Sequence, residues 1–233
     1  MAATSWPTSG MCTSTGRCDG QGGDEGVIPQ EVAALAARYG APERRRFALD
    51  LGEREFEYWR EKSAHRRGEV VLVIRRPSGR VLLHTKGFYP PGTYRLPSGG
   101  VRWGEEVLSA VHREAREETG LDVEVERFLG LIEVEFRHAD QALPFVSYIF
   151  LVREIGGELA PQDSEEEITA FREVPPEELE AVANELEALP EEWRDWGRFR
   201  ALAHHFVSEL PAGIIGSPTY LSYTVARRPR GTS

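Results

Sequence analysis

Cysteine is nearly absent from this chain: Cys12 and Cys18 are the only two among 233 residues. Two cysteines are too few for a disulfide framework, and their spacing has no partner pair for a zinc site, so they read as free thiols in a polar tract. No stretch approaches the roughly 20 apolar residues of a membrane span. The N-terminus lacks the basic start and apolar run of a secretory signal, and a soluble, cytoplasmic protein is expected. Positive charge is also in deficit, with 28 Lys and Arg against 38 Asp and Glu, a net charge of -10. A general nucleic-acid binder is thereby excluded, because polyphosphate backbones attract basic surfaces. A small phosphorylated substrate is not, since a few local cations or a metal decide its binding. What the chain does have is apolar material, 40% of residues, with five Trp and ten Phe to fill a core. The length allows one full domain with accessory segments.

The composition divides the chain. Residues 1–26 are rich in Gly, Ser, Thr and Asp and bury too little to offset ordering entropy, which predicts a disordered tail. Residues 27–67 read as a helical extension. Pro29 opens a helix on which Val32, Leu35, Ala36 and Tyr39 recur at helical steps, and Gly40-Ala41-Pro42 ends it. Arg44 to Arg46 form a basic cluster, and Glu53 to Arg66 is a second helix with Phe56, Trp59 and Ala64 on its apolar side. The apolar positions leave a homodimer open as a role for this segment. From residue 68 the pattern becomes mixed. Val70 to Ile74 and Val81 to His84 flank a Pro77-Ser78-Gly79 turn and predict a hairpin. Further strands are expected over 123–136, 145–152 and 168–174, with Gly156-Gly157 as a turn. Helices are expected over 105–119, 177–189 and 193–210. Residues 68–210 form the main domain, of α/β class, and 211–233 a frayed tail.

One helix carries chemistry. Glu114, Glu117 and Glu118 lie three and four residues apart, on one face. Carboxylates crowded in this way repel, and a hard divalent cation with oxygen ligands removes the repulsion. Val107, Leu108, Val111 and Ala115 form an apolar stripe that can pack on a sheet. Arg113 can fix a carboxylate rotamer through a forked hydrogen bond. Gly99-Gly100 allows close backbone approach and frees a carbonyl. Acidic faces are often only solvated surface, the reading given to 177–187 and to Glu165, Glu166 and Glu167 as a run.

The full spacing is more specific. Gly99, five residues, Glu105, seven residues, then Arg113-Glu114-Ala115-Arg116-Glu117-Glu118-Thr119-Gly120-Leu121 resembles the Nudix box. A preceding hairpin, a Leu96-Pro97-Ser98-Gly99-Gly100 approach and a following strand agree with it. The resemblance spans about residues 68–190. It implies an α/β/α sandwich with a mixed sheet and hydrolysis of a diphosphate linkage in a nucleoside diphosphate derivative with Mg²⁺ or Mn²⁺. The derivative would be a nucleotide sugar, a dinucleotide or a nucleoside triphosphate. Carried over, Glu114, Glu117 and Glu118 would be metal ligands with Gly99 nearby, and Arg113 and Glu105 would orient them.

The family's general base varies. Glu114 is the candidate inside the box; Glu165, Glu166 and Glu167 are the loop candidates, with Glu166 or Glu167 preferred. Arg95 and Tyr94 are candidate substrate contacts. Lys86 could likewise meet phosphate but reads rather as a surface residue, and Tyr89, like Tyr94, could stack on a base or serve as loop packing. His84, His112, His138, His204 and His205 show no partner spacing and read as structural or surface residues. The family's downstream substrate signatures, a Pro or a Tyr, are missing from Glu135-Phe136-Arg137-His138; Pro144 and Tyr148 come too late. The alternative reading is a nucleotide-sensing or regulatory module of the same fold, which would be expected to have lost box acids; none is lost.

Overall fold

The computed structural model describes residues 27–161, 167–211 and 213–215. The expected disordered tail, most of the C-terminal tail, and Glu165 and Glu166 lie outside these residues. A seven-stranded mixed sheet organises the chain. Its strands are β1 (Glu43–Asp50), β2 (Arg66–Arg75), β3 (Val81–Lys86), β4 (Ser98–Arg102), β5 (Leu121–His138), β6 (Gln141–Gly157) and β7 (Ile168–Val174). The order is β1-β5-β6-β2-β3-β7, with β4 paired to β2 off this path. β1 runs parallel to β5 and β6 parallel to β2; the remaining pairs are antiparallel.

β2 shows why the sheet is covered on both faces. Its apolar run does not alternate with polar residues, as befits a strand buried on both sides. Val70, Leu72 and Ile74 enter one apolar cluster, Val71 and Val73 the other. Helices α1 (Pro29–Tyr39) and α3 (Val107–Thr119) cover the first face through Val32, Leu35, Val107, Ala110, Val111 and Ala115. Helices α2 (Glu53–His65), α4 (Leu179–Glu187) and α5 (Arg194–Ser208) cover the second, where Trp59 is fully buried against Phe136, Phe145 and Phe199. The result is the expected α/β/α sandwich.

Four local expectations need correction. The extension is not all helix: the Arg44–Arg46 cluster belongs to β1, which joins the sheet edge through eight parallel register pairs with β5. Glu43, Arg44, Arg46 and Asp50 are exposed, while Arg45 lies over the Phe206 ring and Leu49 is buried, so edge pairing rather than a continuous apolar pattern forms this strand. The approach to the box is itself a strand, β4, because Gly99 and Gly100 pair with Val70 and Glu69. Gly156 and Gly157 do not turn the chain; they extend β6 opposite Asp122 and Leu121. The box helix begins at Val107 rather than Glu105, and Gly120 ends it at φ 72°, a left-handed cap suited to glycine.

Candidate active site

The box folds as β4, a short loop and α3. Apolar burial along α3 leaves Arg113, Glu114, Glu117 and Glu118 directed toward β4 and the end of β3. Glu114 lies directly over Gly99: a Cβ at that position would come 1.8 Å from the Glu114 carboxyl carbon. A side chain at 99 would displace the Glu114 carboxylate from this position.

Arg113 is the hub. Its Nε and Nη2 donate to the two Glu105 oxygens at 2.8 and 2.9 Å. Nη1 donates to Glu114 at 2.5 Å and Glu117 at 2.9 Å, and Nη2 also reaches the Gly100 carbonyl at 2.7 Å. Burial works against its charge, but the surrounding carboxylates outweigh it and raise the pKa further. Burial likewise opposes ionisation of Glu105, yet hydrogen bonds from Arg113 and the Arg102 N–H leave its pKa lowered. Both groups are thus held charged, and Glu105 orients Arg113 as Arg113 orients Glu114 and Glu117.

Glu118 is almost wholly buried. It accepts from the Ser98 N–H at 2.9 Å, and Lys86 Nζ lies 3.3 Å from its other oxygen. Arg95 Nη2 is 3.7 Å away and His84 Nε2 3.9 Å. His84 is fully buried, and desolvation, then Arg95 and Lys86, push its pKa well below the ordinary value, so it is neutral. The positive charge facing Glu118 comes from Lys86 and Arg95. An open cavity of about 580 Å³ adjoins Glu117, lined also by His112, Arg113, Arg116, Val123 and Ile155.

A second, buried polar network supports this floor. Arg95 donates to Tyr89 Oη, the Leu96 carbonyl and Ser98 Oγ, each at 2.8 Å. Arg200 of α5 donates to Ser98 Oγ at 3.2 Å and to Glu69 at 2.8 Å, and Glu69 also accepts from Ser147. His204 Nε2 accepts from the Leu96 N–H at 3.0 Å while Nδ1 donates to the Arg200 carbonyl at 2.9 Å.

A family model for the NUDIX domain matches residues 65–196, more than half of the chain. The chain belongs to the Nudix family. An ADP-ribose pyrophosphatase of Methanocaldococcus jannaschii is 35% identical over 99 residues, covering 42% of this chain and 57% of that protein. An NAD-capped RNA hydrolase, NudC, of Stutzerimonas stutzeri is 34% identical over 99 residues, covering 41% of this chain and 32% of that protein. The chain thus spans about half or less of the length of these curated relatives. Among solved structures, an ADP-ribose pyrophosphatase of Streptococcus suis aligns with a TM-score of 0.38 and 21% identity, over 60% of this chain and 88% of that one. Every acid of the Nudix box is present in this chain.

The structure brings Gly99, Glu105, Arg113, Glu114, Glu117 and Glu118 together at the Nudix box. Glu167, at φ 52°, sits just before β7, and its carbonyl accepts from the Gly87 N–H, one residue beyond Lys86. It therefore shares a sheet end with the cation that faces Glu118. Tyr94 packs against the apolar cluster of the α5 face, with Arg172 6.0 Å from its ring. Arg95 is buried and committed to Tyr89, Leu96 and Ser98 rather than presented to solvent.

Two residues read as bland are not. Lys86 is largely buried beside Glu118, and His84 lines the same floor. Their alternation on β3 with Leu82, which faces α3, is the signal that could have placed them. Glu69 and Arg200 carry no such signal, since their partners lie far apart in sequence.

Proposed function

We propose that this Nudix protein hydrolyses the internal diphosphate of an ADP-type nucleotide derivative with a divalent cation, Mg²⁺ or Mn²⁺. The reading is carried by the braced arrangement of Glu114, Glu117 and Glu118 over Gly99. The names of the two relatives, an ADP-ribose pyrophosphatase and an NAD-capped RNA hydrolase, support an ADP-linked diphosphate over a nucleoside triphosphate.

The residues fit a hard cation. All their side-chain donors are oxygens, and the space above Gly99 exists only because no Cβ fills it. As the side chains stand, no three such groups among the described residues converge on one point; Arg113 lies between Glu114 and Glu117. Glu114, Glu117 and Glu118 would hold the ion, with Gly99 nearby. When bound, it supplies neutralisation of phosphoryl charge and favours ionisation of the attacking water.

The chain's own residues do the rest. Arg113 fixes two of the acids, and Glu105 keeps Arg113 aligned. Lys86 and Arg95 balance the buried Glu118, a pairing whose loss would leave an uncompensated charge. Arg95 is better read as positioning Glu118 than as touching substrate, and Tyr94 as packing. For the base that takes the proton from water, we favour the segment before β7, Glu166 or Glu167. Glu114 is disfavoured, because Arg113 and Gly99 confine it.

The decisive experiment is a product analysis across ADP-ribose, NAD, nucleotide sugars and nucleoside triphosphates with Mg²⁺. AMP released from ADP-ribose or NAD is the expected result. Preferential release of pyrophosphate from triphosphates would overturn the substrate class. Tight nucleotide binding with no cleavage of any compound would favour the regulatory module.

A further inference from the structure

The catalytic helix does not cap itself. The residue before its first turn, Glu106, makes no side-chain cap hydrogen bond, and the first turn holds no acid. A helix start leaves N–H groups unpaired and carries partial positive charge, which a carboxylate normally answers. Here the carboxylate comes from α1: Glu31 Oε1 accepts from the Val107 N–H at 2.8 Å. Its other oxygen accepts from Arg67 Nη2 at 2.7 Å. The same Arg67 nitrogen donates to the Glu105 carbonyl at 2.9 Å, and the Arg67 side chain is almost wholly buried.

From these contacts we infer that Glu31 is a positioning residue for the metal-binding acids, acting through Val107 and through Arg67 and Glu105. The inference rests on the metal-site reading of Glu114, Glu117 and Glu118. The path is continuous. Glu31 fixes the start of α3 and, through Arg67, the backbone of Glu105. The Glu105 carboxylate fixes Arg113, and Arg113 fixes Glu114 and Glu117. α1 and α3 share an apolar cluster, but an open cavity of about 540 Å³, lined by Ile28, Leu35, Tyr39, Glu105 and Leu108 among others, lies between α1 and the start of α3, where the Glu31 bonds tie the two helices directly. Charge-assisted bonds of this kind are directional and set position as well as energy.

The test uses the full chain with Glu31→Ala and Glu31→Gln, at a temperature where near-ultraviolet circular dichroism shows both folded. Three quantities are read: kcat and KM on the best substrate, Mn²⁺ half-saturation by electron paramagnetic resonance without substrate, and hydrogen exchange of the Val107 amide. In Glu31→Ala, kcat should fall about tenfold with KM within about twofold, and Mn²⁺ half-saturation should rise about tenfold. Val107 should lose exchange protection. Glu31→Gln keeps an acceptor for Val107 and should recover much of that protection, and it carries the experiment if the alanine variant does not fold. A merely stabilising role would lower the melting temperature and leave kcat and Mn²⁺ half-saturation unchanged in both variants, which overturns the inference. If the wild type binds Mn²⁺ but cleaves nothing, weaker Mn²⁺ binding in Glu31→Ala would support the positioning role while the hydrolase reading fails. A wild type that binds no Mn²⁺ would overturn both.

Discussion

Glu118 and His204 are both almost wholly removed from water, and each has a visible set of partners. Glu118 keeps its place beside Lys86, Arg95 and the Ser98 N–H. His204 is neutral: desolvation, then the nearby Arg95 and His205 charges, lower its pKa to about 3, although its bond to the Arg200 carbonyl opposes the shift. In the unfolded chain the imidazole takes up a proton below its ordinary value of 6.5. Between those two values the unfolded state carries the extra proton. Stability therefore falls as pH drops through 6.5, and the loss is complete near the folded value of about 3. His84, shifted in the same direction, adds to this slope. His204→Gln retains an acceptor for the Leu96 N–H and should lose less melting temperature than the wild type between pH 8 and pH 5, about, by calorimetry. An unchanged pH dependence would contradict the neutral buried imidazole.

At the scale of elements, the segment before residue 67 is part of the fold rather than an appendage. β1 completes one sheet edge, α2 places Phe56 and Trp59 in the cluster beneath α5, and α1 supplies Val32 and Leu35 to the other face. Exposing a buried Trp alone costs about 3–5 kcal/mol. A chain beginning at residue 67 should therefore be insoluble or lack cooperative thermal unfolding. A sharp melting transition in such a truncation would show that the family core stands alone. α3 was legible because periodicity, the glycine cap and the box spacing agree over one continuous segment. β1 was not, because Arg44 and Arg46 face water, Arg45 lies over the Phe206 ring of α5, and pairing with β5 makes them a strand. Lys86 was misread because its burial depends on Glu118, 32 positions away in the sequence. The cap from Glu31 is invisible for the same reason: its partner Val107 is 76 residues on, and no local rule at the start of α3 points back to it.

Across the whole molecule, the site is gripped from both layers. On one face, α1 reaches the start of α3 through Glu31, and Arg67 reaches Glu105. On the other, α5 reaches under the sheet, where Arg200 holds Ser98 and Glu69, and His204 holds Leu96. Ser98 in turn donates its N–H to Glu118. The box acids Glu114, Glu117 and Glu118 are thus fixed by residues contributed from nearly the whole length of the described chain. With a net charge of -10, the proposed binding of an anionic substrate would depend on local charges and a bound cation rather than on the overall field. The most direct test is the initial rate of diphosphate hydrolysis against Mg²⁺ concentration, for the wild type and for folded Glu118→Gln. The wild-type rate should saturate with Mg²⁺ and vanish with chelator, and Glu118→Gln should fall by at least about a hundredfold. Turnover by Glu118→Gln equal to the wild type, or a wild-type rate indifferent to chelator, would contradict the metal site described for these acids.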